Sequence, residues 1–94
     1  SKKYLDYDLL SGELLIRNKR DGDRFNPFGM KGTKKLKHYF IDKKVPSELR
    51  NKVLLLVDKD EIVYIINYDI ANNYKASNRT KRYLNIIMEG NDGL

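Results

Sequence analysis

The stretch that most limits what this chain can become is "VLLLVDKDEIVYII", residues 53–66. Its two apolar runs, "VLLLV" (53–57) and "IVYII" (62–66), are aliphatic and β-branched and too short for ordinary helices. The "DKDE" between them is turn chemistry. The pattern predicts an antiparallel hairpin. Because both runs are nearly continuous rather than alternating, both faces of that hairpin must be covered. A chain of 94 residues has room for one core and one domain, so the other segments have to supply the cover.

"ELLIR" (13–17) reads as another strand, ended by the turn-forming "NKRDGD". Residues 26–32 read as a loop, because Pro27 disfavours helix at Asn26 and Gly29 and Gly32 permit backbone angles other residues avoid. Thr33 stands where an N-cap would, before a helix through "KKLKHYFIDKK". At helical spacing Leu36, Tyr39 and Phe40 form a buried stripe, while Lys34, Lys37, Ile41 and Lys44 share another face. Pro46 ends this helix and starts a second short one through "SELRNK". Residues 67–80 are polar and irregular, with Ile70 and Tyr74 as anchors, and "KRYLNIIME" (81–89) reads as a last strand before a fraying "GNDGL". Periodicity leaves residues 4–12 open between strand and helix. Strands, one or two central helices, then strands indicate an α+β fold with antiparallel pairing.

Charge placement says more than the net value of +6. Residues 17–50 hold eleven Lys/Arg against four Asp/Glu, a local balance of +7, and the rest of the chain comes to −1. A basic middle third points to a polyanionic partner such as nucleic acid. The alternative is a solvated lysine-rich face. Cysteine is absent, which removes disulfides and thiolate chemistry. No apolar run approaches the roughly 20 residues that span a bilayer, and "SKKYLDYD" offers no secretory signal, so a cytoplasmic protein without membrane insertion is expected.

Enzyme signatures fail one by one. "GMKGTKK" has the wrong order and spacing for a phosphate loop, and GxSxG, HExxH and EF-hand patterns are missing. His38, the lone histidine, has no partners for a metal site, and Asp21, Asp23, Asp58 and Asp60 sit in turns that explain them. "GMKG" matches the GXXG of KH domains, but weakly, since no helix precedes it. The loop into the helix remains as a candidate phosphate site. Lys34 and Lys35 in a first helical turn would cost roughly 0.3–1 kcal/mol each against the helix dipole unless an anion is present. Arg17, Arg20 and Arg24 just upstream could fork onto phosphate oxygens. The competing reading gives the glycines to a tight turn and pairs Arg24 with Asp21 or Asp23.

Taken together, "LLIRNKRDGDRFNPFGMKGTKKLKHYFIDKKVPSELRNKVLLLVDKDEIVYI" resembles the C-terminal domain of bacterial tRNA(Ile)-lysidine synthases, PP-loop ATPases. The carrying elements are an I-R-N-R-x-x-G-D-R-F type segment, G-x-x-G-x-K-K-L-K, F-I-D-x-K-V-P and the hydrophobic hairpin. The resemblance covers residues 14 to about 66 well and the rest loosely. It implies a parent ligase that uses ATP, with magnesium, to adenylate the wobble cytidine of an isoleucine tRNA and attach lysine. The catalytic domain of that parent is N-terminal, with an SGGxDS-type loop that does not occur in these residues. It further implies that residues 1–94 are one accessory domain, itself without a catalytic site, cofactor or metal, that holds tRNA on its acceptor-stem side. The fold implied is similar to a domain in the β subunit of phenylalanyl-tRNA synthetase. His38 stands where relatives often carry an acid, Lys59 where Gly is frequent in the hairpin turn, and Asp69 where a basic residue is usual.

The expected RNA-binding residues are Arg17, Arg20, Arg24, Lys31, Lys34, Lys35 and Lys37, with Lys44 at the rim. Arg20 and Lys34 are the first to mutate. Expected partners are tRNA and the chain's own N-terminal catalytic domain, with a homodimer as a further option. A second hypothesis makes the basic face a protein-interaction surface packed on that catalytic domain or another subunit. A third, a stand-alone enzyme on a phosphorylated small molecule, has no nucleophile, base or metal cluster behind it.

Overall fold

The computed structural model describes residues 4–88. In chain order these form β1 (Leu5–Asp6), a 3-10 turn (Tyr7–Leu9), β2 (Leu14–Arg17), β3 (Arg24–Phe25) and β4 (Lys34–Lys35). The helices α1 (Leu36–Asp42) and α2 (Ser47–Arg50) follow, then β5 (Leu55–Asp58), β6 (Glu61–Ile65), β7 (Asp69–Ile70) and β8 (Tyr83–Leu84). Every strand pair is antiparallel: a central sheet in the order β2-β5-β6-β7, and two-stranded ribbons β3-β4 and β1-β8. This is the α+β architecture that the strand and helix order indicates.

The predicted hairpin is the centre of the molecule. Its two central turn residues, Lys59 (φ 47°) and Asp60 (φ 71°), both have positive φ, the signature of a type I′ turn that matches strand twist. Along β5 the side chains alternate: Leu55 and Val57 join one apolar cluster and Leu56 the other. In β6 the register slips, pairing Val57 with Ile62 but Leu56 with Tyr64, so that Val63 is an extra, bulged residue. For that reason Ile62 and Ile65, three positions apart, face the same cluster.

One cluster lies under the helices and the β3-β4 ribbon: Phe25, Leu36, Tyr39, Phe40 and Val45 cover Leu55, Val57, Ile62 and Ile65. The predicted stripe of Leu36, Tyr39 and Phe40 is the buried face of α1. Phe25 and Phe40 meet the Tyr39 ring edge-on at 5.1 and 5.9 Å. The other cluster gathers Leu5, Leu56, Val63, Ile66 and Ile70 with Leu84 and Ile86, where the two ends of the described chain close over the sheet. Asp58 is buried at the hairpin turn, where its carboxylate accepts from the amide and hydroxyl of Ser11 at 2.8 and 2.6 Å. Burial pushes this carboxyl up, but those bonds and the Gly12 and Glu13 amides outweigh it, and the net shift is downward.

Several local expectations need correction. Thr33 does not cap α1; the helix begins at Leu36, and Lys34 and Lys35 are strand residues paired with Phe25 and Arg24. Ribbon pairing to β3 won over helix propensity there. The polar segment 67–80 contains β7, whose Ile70 pairs with Tyr64. The strand expected over 81–89 shrinks to Tyr83–Leu84, with 85–88 irregular and residue 89 outside the described residues. Helix α1 ends where Lys44 turns left-handed (φ 58°). The Val45 amide donates to Phe40 O and the Lys44 amide to Ile41 O, closing a Schellman motif without its usual glycine.

Candidate nucleic-acid interface

Asp23 organises the basic region. It follows the turn at Gly22 (φ 85°). Its carboxylate accepts both terminal nitrogens of the Arg17 guanidinium, at 3.0 and 2.9 Å, and the Arg20 amide at 2.7 Å. Its carbonyl accepts the Leu36 amide at 2.9 Å, fastening the start of α1 to the same residue. The two side chains of the pair are mostly buried, at 13% and 12% exposure. Burial pushes the Asp23 carboxyl up, but the Arg17 bond, the Arg20 amide and both arginine charges more than offset this and hold it below the usual carboxylate range. The hydrogen bond to Asp23 raises Arg17 correspondingly, against burial.

Between this turn and the helices opens a cleft of about 480 Å³, lined by Lys19, Arg20, Asp21, Gly22, Asp23, Lys35, Leu36, Lys37, Phe40 and Arg50. Leu36 and Phe40 are its buried floor. Five cations face two acids, and one of those acids, Asp23, is already engaged by Arg17. The side chains of Lys19, Arg20, Lys35 and Lys37 make no hydrogen bond or ion pair with any described residue. Arg50 is oriented by donating Nε to Val45 O at 2.9 Å. Unpaired cations crowded on a rigid frame repel one another and favour an anion among them. No group of three or more His, Cys, Asp or Glu side chains among the described residues could hold a metal ion. The arrangement is suited to holding an anion.

Of the expected residues, the cleft brings together Arg20, Lys35 and Lys37. Arg17 stands behind it, its fork spent on Asp23. Arg24 folds onto Thr33, donating Nε to Oγ1 at 2.8 Å and a terminal nitrogen to the carbonyl at 3.1 Å, instead of pairing with Asp21 or Asp23. Lys34 pairs with Asp42. Lys31 sits in the 26–33 loop and Lys44 at the end of α1, neither lining the cleft. Lys34 and Lys35 precede the seven-residue helix as strand residues, so in its first turn the cation set against the helix dipole is Lys37. Lys19 and Arg50 line the cleft without being among the expected residues. Lys19 lies in the same basic turn as Arg20, a signal that was available, whereas Arg50 arrives from a helix twenty-seven positions beyond Asp23 and carries none.

The family model described as "TilS substrate C-terminal domain" matches residues 14–86. A tRNA(Ile)-lysidine synthase from Clostridium tetani is 44% identical over 88 residues, which is 94% of this chain and 19% of that protein. One from Caldanaerobacter subterraneus subsp. tengcongensis is 43% identical over 82 residues, 87% of this chain and 18% of that protein. The chain thus spans about a fifth of the length of these relatives. A solved structure described as "Crystal structure of TILS C-terminal domain" superposes with a TM-score of 0.70 at 29% identity, covering 92% of this chain and 71% of that one.

Proposed function

This chain belongs to the family of TilS substrate C-terminal domains of tRNA(Ile)-lysidine synthases, and from that premise we propose that it holds tRNA through the basic cleft while a catalytic part elsewhere in the parent protein modifies the anticodon. The observation that supports this reading is the cleft itself, with four cations that form no ion pair with a described carboxylate. Duplex RNA presents phosphates and 2′-hydroxyls while its base edges lie deep in a narrow groove, so such a platform reads shape and register more than sequence. The acceptor-stem side of the tRNA is the proposed contact, Arg20, Lys35 and Lys37 bind phosphate, and Lys19 and Arg50 complete the set. ATP and magnesium would act in the remainder of such a protein, whose setting would be the cytoplasm.

Titration of the chain with a tRNA transcript at several salt concentrations tests this. Log affinity should fall linearly with log salt, by roughly 0.7–0.9 per neutralised phosphate, giving a slope near 3 for the four unpaired cations. A flat response would overturn it.

A second reading rests on another face. In the edge strand β2, Leu14, Leu15 and Ile16 are all exposed, although β2 pairs along its other side with β5. Such an edge suits protein docking, either on the catalytic part of the same polypeptide or on a second copy of this chain. Sedimentation of the chain with Ile16→Lys against the unaltered chain separates the copy from the catalytic part.

A further inference from the structure

The loop 26–33 closes the β3-β4 ribbon at the end opposite the cleft, and it is built to be stiff. Asn26, 4% exposed, donates Nδ2 to the carbonyls of Met30 and Gly32, both at 2.7 Å, and its Oδ1 accepts the Asn73 amide at 2.9 Å. Asn72 grips from the other side: its amide donates to Asn26 O at 3.0 Å and its Oδ1 accepts the Gly29 amide at 3.0 Å. What this clamp presents is Phe28, 62% exposed. One face of the ring is covered by Lys75, whose Nζ lies 3.9 Å from the centroid and is itself anchored on Asn72 Oδ1 at 2.6 Å. An exposed phenylalanine gains little for the core, so apolar burial does not account for its place on this loop.

We propose that Phe28 is a stacking platform for an unpaired nucleobase of the bound RNA, placed where the strand leaves the duplex gripped by the cleft. The proposal rests on the tRNA-holding reading above. Three features select this occupant. The open ring face is rigid, so stacking costs little ordering. Lys31 and Lys75, on the same loop and beside the ring, supply the charge a sugar-phosphate chain needs and a protein partner of ordinary composition does not. Ring and cleft stand at opposite ends of a ribbon whose strands are only two residues long, roughly 7 Å, with the loop beyond it, so one RNA strand can run along both.

The test compares a blunt RNA stem-loop with the same stem-loop carrying a short unpaired extension. The unaltered chain should bind the extended RNA more tightly. Phe28→Ala and Phe28→Leu should each lose that advantage, roughly five- to 150-fold in affinity for the extended RNA, while leaving the blunt RNA unaffected. Since the chain has no tryptophan, Phe28→Trp adds a sole reporter, which should keep the advantage and be quenched by the extended RNA only. No preference for the extended RNA, an unaltered affinity in Phe28→Ala, or an equal loss on both RNAs would each overturn the platform while leaving the cleft's role intact. Absence of salt-dependent binding to either RNA would overturn the tRNA-holding reading and the platform with it.

Discussion

Two hairpins of this molecule are held together by different forces. The β5-β6 hairpin is stabilised by apolar burial on both faces, and nearly every side chain in it touches one of the two clusters. The β3-β4 ribbon has two residue pairs, and its shape comes from polar clamps: Arg17 and Arg20 on Asp23, Arg24 on Thr33, Asn26 and Asn72 on the loop. The first is a scaffold that meets solvent chiefly at its turn. The second stays at the surface, where charge and bare backbone can meet a partner, and a surface ribbon needs directional bonds because it has little area to bury. Those bonds consume some cations and leave others open, which is why a basic stretch and a basic site are not the same set of residues.

The contrast breaks most sharply at the residues that join the halves. Leu55→Ala in the hairpin and Phe40→Ala at the cleft floor should each cost about 2–5 kcal/mol, read as a fall in the urea midpoint with loss of structure throughout. Asn26→Ala should cost about 2–3 kcal/mol by stranding the Gly32 carbonyl and the Asn73 amide and leaving Met30 O only its bond from Asn72. Amide exchange should then accelerate at residues 28–33 and 73 while 55–65 keep their protection. A uniform loss of protection would mean that the clamps support the whole fold, and the distinction would fail.

Acid should weaken both hairpins, each through one carboxylate held by hydrogen bonds. Asp23 and Asp58 have folded pKa values held below their unfolded ones, so their stabilisation is complete above the unfolded carboxylate value of about 4 and disappears as pH falls through it toward the folded values. Urea midpoints measured between neutral pH and strong acid should drop in that window, and Asp58→Asn should flatten part of the drop. The surface cations should behave differently again. Lys35→Gln and Lys37→Gln should change stability by less than about 0.5 kcal/mol, yet each should lower the salt slope for RNA by roughly 0.7–0.9. Lys34→Gln, already paired with Asp42, should lower it less. Lys44→Gly, away from the cleft, relaxes a left-handed helix end and should raise stability by about 0.5 kcal/mol, visible as a small rise in melting temperature.

Much of the scaffold was legible before folding. Apolar runs of strand length separated by turn residues announce a hairpin whatever surrounds it, and the spacing of Leu36, Tyr39 and Phe40 marks one helix face. The start of α1 was not legible, because "TKKL" suits a cap as well as a strand, and only the presence of β3 alongside chooses. Nor was the bulge at Val63, since a nearly continuous apolar run carries no mark of an inserted register slip.

Composition and order alone therefore settle that this chain makes an antiparallel α+β domain with a central apolar hairpin and a cationic middle, because those properties depend on near neighbours and on counting. Which cations remain available is a different kind of fact. Arg17 reaches Asp23 six positions on, Lys34 reaches Asp42 eight positions on, and Arg50 enters a cleft begun by Lys19. Ion pairing falls off over a few ångströms, so it is decided by which side chains the finished fold brings that close.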